Sequence, residues 1–391
     1  MTDLTLRGTW LTPDRGRDLL VVGPSLGTGV VALWDTCAQV VAGRGDVDVL
    51  GWDLPGHGHG APVDEPFTVE DLAAAVVQLA GSVRPGQAFA YAGVSVGGVV
   101  GLALATGSAP VTAVSVICSD ARVGTPEGWH ERADLVRRAG TPVMVSGSVQ
   151  RWFAPGFVER EPAVTTGLLT TLQHADKNSY ARVCEALAAA DLRPGLAGID
   201  VPVLVIAGRH DAVCTPEAGE ALAAAVPGAQ LVVVEDAAHL APAESPTEVG
   251  EVLADWLHGI PQQGRTSSQT HAAGMRVRRE VLSDAHVDRA EARKSALTHE
   301  FQDLITRYAW GEIWTRPGLD RRMRSAITLT ALIAHGHWGE LEMHVRAARR
   351  NGLSREEIAE VLLQSAIYLG VPAANHAFGI AQQVLDEEPQ E

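Results

Sequence analysis

An excess of positive charge, a paired-cysteine motif and a long unbroken apolar run are all missing from this sequence. Its 31 Lys and Arg stand against 47 Asp and Glu, a formal net charge of −16. Nucleic acid and anionic membrane surfaces both call for a basic face, so neither is expected as a partner. The four cysteines, Cys37, Cys118, Cys184 and Cys214, lie far apart and form no C-x-x-C pair. That spacing argues against a disulfide framework or a zinc site and fits a reducing, cytoplasmic setting. Met1-Thr2-Asp3-Leu4 lacks the basic and apolar regions of a secretory signal. The longest apolar region, 99–118, is broken by Gly107, Ser108 and Pro110. It reads as a buried helix and strand, not as a membrane span.

What is present is an ordinary globular composition, 46% apolar and 20% charged. A length of 391 residues exceeds most single cores, so two domains are expected. Over 1–258, short β-rich runs at 18–23, 47–52, 88–94, 112–118, 201–207 and 230–235 alternate with helical stretches at 69–82, 95–106 and 216–226. Several runs are continuously apolar, as parallel strands buried on both faces should be. This rhythm predicts an α/β doubly wound sheet. Residues 121–194 lack clear strands and contain Trp129, Trp152 and Phe153. They predict a helical lid over the strands' C-terminal ends, where such folds bind ligands.

Residues 259–274 have linker composition and no periodicity, which places the domain boundary there. From 275 to 391 the pattern is all-α. Met323, Ile327, Thr330, Ala331 and Ala334 follow helical spacing, and Leu341, Val345 and Ala348 repeat it before Gly352. Ser354-Arg355-Glu356-Glu357 is a capping box ahead of a stripe of Ile358, Val361, Leu362, Ser365 and Leu369. This part carries 15 Lys and Arg against 17 Asp and Glu from His271 onward, so it is nearly neutral. Several one-sided helices in so short a domain predict homo-oligomerisation.

Gly93-Val94-Ser95-Val96-Gly97 joins a strand-like run to a helix-like run, the setting of a nucleophile elbow. Asp211 follows the strand over 201–207, and His239 follows the next one, giving the chain order Ser, Asp, His. His239 would take the Ser95 proton while Asp211 holds its tautomer and steadies its charge. Asp120 is the alternative acid. For the oxyanion hole, Val96 offers one N–H, and the loop Gly23-Pro24-Ser25-Leu26-Gly27-Thr28 offers another, from Leu26 or else Gly27 or Ser25. His57 and His59, in Pro55-Gly56-His57-Gly58-His59-Gly60, read as turn-formers.

Taken together, Ser25-Leu26-Gly27-Thr28, Trp34, the elbow, Arg151-Trp152-Phe153-Ala154-Pro155-Gly156-Phe157 and the stretch over 184–193 resemble 3-oxoadipate enol-lactonases, which have the α/β-hydrolase fold. A methionine is expected at 96 in that family, but only the backbone N–H matters there. The resemblance implies attack of Ser95 on a ring carbonyl, opening of the lactone and collapse of the leaving enol to a ketone. Because that substrate carries a carboxylate, Arg151 and Trp152 in the lid are candidate binding residues.

The second part resembles 4-carboxymuconolactone decarboxylases through residues 277–282, 284–290, 308–319, 340–344 and 368–375. Its row His337-Trp338-Gly339-Glu340-Leu341-Glu342-Met343-His344 has no cysteine, which excludes the thiol chemistry of peroxidase relatives. Loss of CO₂ from that lactone leaves a dienolate, so a proton donor to carbon and a cation near the carbonyl are needed. Glu340 and His344 share one helix face at i, i+4. The resemblance implies His344 as the acid, Glu340 as its orienter or proton relay and Arg322 as a candidate carboxylate clamp. Zinc on His337, Glu340 and His344 is possible by spacing, but the substrate supplies its own electron sink, so no metal and no cofactor is expected. The overall expectation is a bifunctional enzyme acting on small anionic lactones. The rivals are a serine esterase of other specificity fused to a domain that only oligomerises, or one fused to a binding module.

Overall fold

In a computed structural model the described residues are 4–44, 47–259, 267–316 and 318–387. The chain divides into two units, Met1–Ile260 and Pro261–Glu391.

The first unit is built on a seven-stranded sheet of β1 (Gly8–Trp10), β2 (Asp18–Gly23), β3 (Val47–Trp52), β4 (Phe89–Val94), β5 (Val111–Ile117), β6 (Val203–Gly208) and β7 (Gln230–Val234). Their order across the sheet is β1-β3-β2-β4-β5-β6-β7. Only β1 runs antiparallel, pairing with β3; the other pairs are parallel. The six parallel strands are those expected from the apolar runs, and all of β4 and β6 is buried. Short and half-exposed, β1 offers too few residues for a period-two signal and went unpredicted.

Register aligns the strand ends that matter. Gly23 of β2 stands beside Gly93 of β4, and Val94 beside Ile117 of β5. The loops leaving these strands therefore open at one edge of the sheet. Around it pack α1 (Val30–Arg44), α2 (Val69–Val83) and α3 (Val96–Thr106), then α9 (Pro216–Ala225), α10 (Ala241–Glu244) and α11 (Pro246–Gly259). Between β5 and β6 the chain leaves the sheet for α4 (Pro126–Ala139), α5 (Val145–Trp152), α6 (Phe157–Arg160), α7 (Pro162–His174) and α8 (Lys177–Ala189). These occupy the span expected for a lid.

The second unit is helical throughout its described residues: α12 (Ser267–Leu282), α13 (Asp284–Ala292), α14 (His299–Ile305), a π-helical segment (Thr306–Ile313), α15 (Arg321–His335), α16 (Trp338–Arg350), α17 (Arg355–Leu369) and α18 (Val371–Asp386). Its main core joins Leu329, Ile333, Leu341, Val345, Ile358 and Leu362. A smaller cluster gathers Val277, Val281, Val287 and Trp310. The capping box at Ser354 and Glu357 is formed. Among all described residues, no helix is long and apolar enough to cross a membrane.

Two readings of the sequence differ from this arrangement. Of the proposed linker, 260–266 lie outside the described residues, and 267–274 form the first turns of α12. Thr270, His271 and Ala272 are not buried there, and Gly274 marks a helix contact, not a loop. The other difference concerns α15. Met323 and Ile327 are 51% exposed, whereas Leu329 and Ile333 face the core. The predicted stripe thus lies on the outer side of the helix.

A Cβ at Gly274 would lie 2.1 Å from the Thr306 carbonyl oxygen and 2.7 Å from the Gly311 nitrogen. In an unencumbered helix, Gly→Ala stabilises by about 1 kcal/mol. Here Gly274→Ala should instead destabilise the second unit by about 1–3 kcal/mol, because the helices must separate. Chemical denaturation of the full chain checks this; a raised midpoint would refute the close packing.

Candidate active sites

Ser95 sits on the elbow between β4 and α3 with φ 55 and ψ −116, a backbone that an L-residue adopts only under constraint. Its own N–H donates to the Ile117 carbonyl at 3.0 Å, and the Ser119 hydroxyl donates to the Ser95 carbonyl at 2.6 Å. These bonds hold the turn from the neighbouring strand end. The side chain opens into a cavity of about 250 Å³ whose walls include Leu26, Ser95, Trp129, Arg132, Arg151 and His239.

Asp211 follows β6 and is buried; one carboxylate oxygen accepts the Val213 and Cys214 N–H groups at 2.7 and 3.1 Å. Its other oxygen lies 2.9 Å from His239 Nδ1, so it fixes a ring with Nδ1–H directed at the carboxylate. Asp120 lies elsewhere: it is half-buried, accepts its neighbour Ala121 N–H at 2.6 Å, and has its pKa raised mainly by burial. The structure therefore brings Asp211, not Asp120, to His239. Asp211, Cys214 and His239 are also the one group of potential metal ligands whose donor atoms cluster among the described residues; His337, Glu340 and His344 do not cluster so.

Leu26, on the loop after β2, lines the same cavity as Ser95, and Val96 follows Ser95 as the first residue of α3. Gly97 N–H donates to the Pro24 carbonyl at 3.1 Å, which ties the two segments together. Among the described residues, neither the Leu26 nor the Val96 N–H donates to an acceptor within the chain.

Arg151 and Trp152, at the end of α5, both line the cavity. Burial, and then the neighbouring Arg132 charge, holds the Arg151 pKa below the usual arginine value. Arg132 was not anticipated from sequence. It lies three residues after Trp129 on α4, and its guanidinium packs 4.9 Å from that ring. The Trp-x-x-Arg spacing on one helix face was the signal available. His57 is fully buried, with Nδ1 2.8 Å from the Pro55 carbonyl, and its ring stacks 5.7 Å from Tyr180, another cavity residue. It serves the turn and braces that wall.

In the second unit, Glu340 and His344 share a face of α16. Glu340 is exposed and His344 half-buried. Burial pushes the His344 pKa down to about 4; the Glu340 charge opposes this, and nearby His286 adds to it. His286, on α13, lines a second cavity of about 280 Å³ with Arg289, Arg293, Lys294, Thr298 and Gln302. Burial and the charges of Arg289, Arg278, Arg293 and Arg350 lower the His286 pKa in turn. Lys294 is paired with Glu291 at 2.6 Å, but among the described residues Arg289 and Arg293 have no carboxylate partner.

Arg322 does not join this group. It donates to the Gly352 carbonyl at 2.6 Å and pairs with Glu357, the capping carboxylate of α17. An arginine at the start of α15 faces the α17 N-terminus, and spacing alone could not show that. The cations that act on His286 come from α12, α13 and the end of α16 instead.

The family model of the Alpha/beta hydrolase family matches residues 12–252, and that of the Carboxymuconolactone decarboxylase family matches residues 299–383. The chain is 41% identical over 119 residues to 4-carboxymuconolactone decarboxylase of Acinetobacter baylyi, covering 30% of this chain and 89% of that protein. It is 34% identical over 232 residues to 3-oxoadipate enol-lactonase 2 of the same organism, covering 59% of this chain and 85% of that protein. The crystal structure of the enol-lactonase from Burkholderia xenovorans LB400 superposes with a TM-score of 0.60 at 35% identity, covering 64% of this chain and 96% of that one.

The depressed His344 pKa means that folding favours the neutral ring. Its contribution to stability is whole above the ordinary value of 6.5 and is lost as pH falls toward about 4. Thermal melting of the full chain should therefore drop more steeply over that window in the wild type than in His344→Gln. Parallel curves would show that the ring is not held neutral by the fold.

Proposed function

Because the chain belongs to the alpha/beta hydrolase family in its first unit and to the carboxymuconolactone decarboxylase family in its second, we propose that it catalyses two consecutive reactions of the 3-oxoadipate pathway. The second unit decarboxylates 4-carboxymuconolactone to the enol-lactone, and the first hydrolyses the enol-lactone to 3-oxoadipate. The observation that carries this reading is the joining, in one chain, of nearly whole relatives of both enzymes.

In the first unit, Ser95 attacks the lactone carbonyl carbon, and His239 accepts the hydroxyl proton while Asp211 steadies the imidazolium. The carbonyl oxygen becomes an oxyanion facing the Leu26 and Val96 N–H groups. The C–O bond of the ring breaks, the imidazolium of His239 returns its proton to the leaving enolate, and the resulting enol tautomerises to the ketone, which leaves His239 neutral again. Water, deprotonated by His239, then attacks the acyl-enzyme and frees Ser95 and 3-oxoadipate. Arg151 and Arg132, on the cavity wall, suit the carboxylate that the reacting ring carries.

In the second unit, the C–C bond to the departing carboxylate breaks and its electrons enter the conjugated lactone as a dienolate. The guanidinium groups around His286 offset that charge, and His344, oriented by Glu340, delivers the proton to carbon. His344 is neutral in the free enzyme, so the bound substrate dianion must raise its proton affinity. Supplied with 4-carboxymuconolactone, the purified chain should release both CO₂ and 3-oxoadipate. Ser95→Ala should release CO₂ and accumulate enol-lactone, its hydrolysis slowed by at least about 10³-fold. His344→Ala should slow CO₂ release by about 10²-fold while hydrolysing added enol-lactone normally. A wild-type chain that releases no CO₂ leaves an esterase with a non-catalytic helical domain. Undiminished turnover in either variant removes that residue from its role.

The chain works as a homo-oligomer through its second unit, and the free state of all four thiols suits the cytoplasm. Ile367, Tyr368 and Val371 are 77%, 77% and 74% exposed, and Met323 and Ile327 are also uncovered. So much large apolar surface on one small unit favours burial against other copies. Light scattering should give a multiple of one chain's mass, and Ile367→Glu should lower it. A wild-type chain of single mass would refute the assembly.

A further inference from the structure

Five residues beyond His239, Glu244 ends the short helix α10. Its carboxylate is not directed at solvent cations. One oxygen, Oε1, accepts the Ala238 N–H at 3.0 Å and the Leu240 N–H at 3.1 Å, so it clasps the backbone on both sides of His239. The other, Oε2, accepts the Ala154 N–H at 2.6 Å. Ala154 belongs to the lid, two residues after Trp152 and three after Arg151, both of which line the cavity. A further bond runs the same way, from the His239 N–H to the Trp152 carbonyl at 3.2 Å. The Cys118 thiol donates to the Ala238 carbonyl at 3.2 Å and holds the same loop from the end of β5.

We propose that Glu244 is a positioning residue that couples the lid's substrate-binding segment to the loop carrying the catalytic histidine. One carboxylate spans two backbone segments that must keep a fixed separation, since one bears His239 and the other bears Arg151 and Trp152. Charge-assisted bonds to three N–H groups make it a stiff strut. Burial pushes the Glu244 pKa up to about 7, against the pull of those three N–H groups and of His239, so holding a carboxylate there carries a desolvation cost. A neutral acceptor would suffice for either segment alone, but only a carboxylate serves both.

This inference rests on the lactonase reading of the first unit, and its test separates the two. In Glu244→Gln the single amide oxygen can serve the two loop N–H groups or the lid N–H, but not both, and the amide NH₂ repels whichever donor it faces. The two loop bonds outweigh the one to the lid, so the lid bond is lost. In the full chain, Glu244→Gln should raise KM for the anionic enol-lactone about tenfold with kcat within about twofold, and should leave hydrolysis of p-nitrophenyl acetate unchanged. Ala154→Pro deletes the same bond from the lid side; Phe153 ahead of it is already extended at φ −116 and ψ 138, as a residue before proline must be. It should reproduce the KM effect and stands in should the glutamine variant fail to fold. Glu244→Ala, which frees both segments, should also lower kcat on both substrates.

Wild-type kinetics on both lactone and ester, or kcat falling equally on both substrates in Glu244→Gln with KM unmoved, would overturn the coupling. Failure of the wild-type chain to hydrolyse the lactone would overturn the functional reading instead.

Discussion

One backbone conformation organises the first unit: the left-handed turn at Ser95. Such a residue costs about 1–3 kcal/mol and persists only where its surroundings over-determine it. Two glycines make those surroundings possible. A Cβ on Gly93 would fall 2.2 Å from the Gly97 carbonyl oxygen, and one on Gly97 would fall 2.7 Å from that of Pro24. With both absent, the start of α3 folds back against β4 and against the loop after β2. The Gly97 N–H to Pro24 carbonyl bond then sets the distance between the segments that carry Val96 and Leu26. The proposed nucleophile and the proposed oxyanion donors are thus positioned by a single packing event, before any substrate arrives.

The second unit solves its problem by electrostatics. Its histidine stands on an unstrained helix, half-buried, with an exposed carboxylate one turn before it. Burial and the nearby His286 disfavour a proton on His344, and the cations around His286 make an electropositive surrounding. On the proposed reading an anionic substrate opposes that balance, since a negative charge nearby favours the protonated ring of His344. On this reading the substrate's own charge switches on the acid that later protonates its carbon. Until then burial, with a smaller contribution from His286, keeps the acid unloaded.

How far the sequence discloses these sites depends on which contacts are local. All six parallel strands were legible, because burial on both faces leaves continuous apolar runs, and the elbow was legible because its glycines are adjacent to the serine. The pairing of Asp211 with His239 followed from chain order, since parallel topology brings the loops after β6 and β7 to one edge. Arg132 and Glu244 were missed for opposite reasons. Arg132 is significant only because α4 folds over the cavity, and Glu244 only because a lid segment 90 residues earlier comes to meet it. The Arg322 assignment failed where helix spacing had nothing to say about which helix end lay opposite. Likewise, the apolar stripe of α15 was visible, but periodicity does not tell a core face from an exposed one.

The charges of the two sites argue for the order of the proposed reactions independently of the order of the domains. 4-Carboxymuconolactone carries two carboxylates, and decarboxylation removes one of them. The cavity beside His286 presents Arg289 and Arg293, which have no carboxylate partner among the described residues, with the charges of Arg278 and Arg350 close by. The lidded cavity of the first unit presents Arg151, its charged form disfavoured by burial, with Arg132 against Trp129. A dianion fits the first setting better, because several cations share its desolvation. A monoanion fits the second, where a large apolar wall of Trp129, Trp152 and Val123 can bury the uncharged ring. In the proposed order, each site suits the charge its substrate bears at that stage, and product passes from the more cationic site to the less cationic one. Departure from the first site is then favoured by the very carboxylate that has been lost.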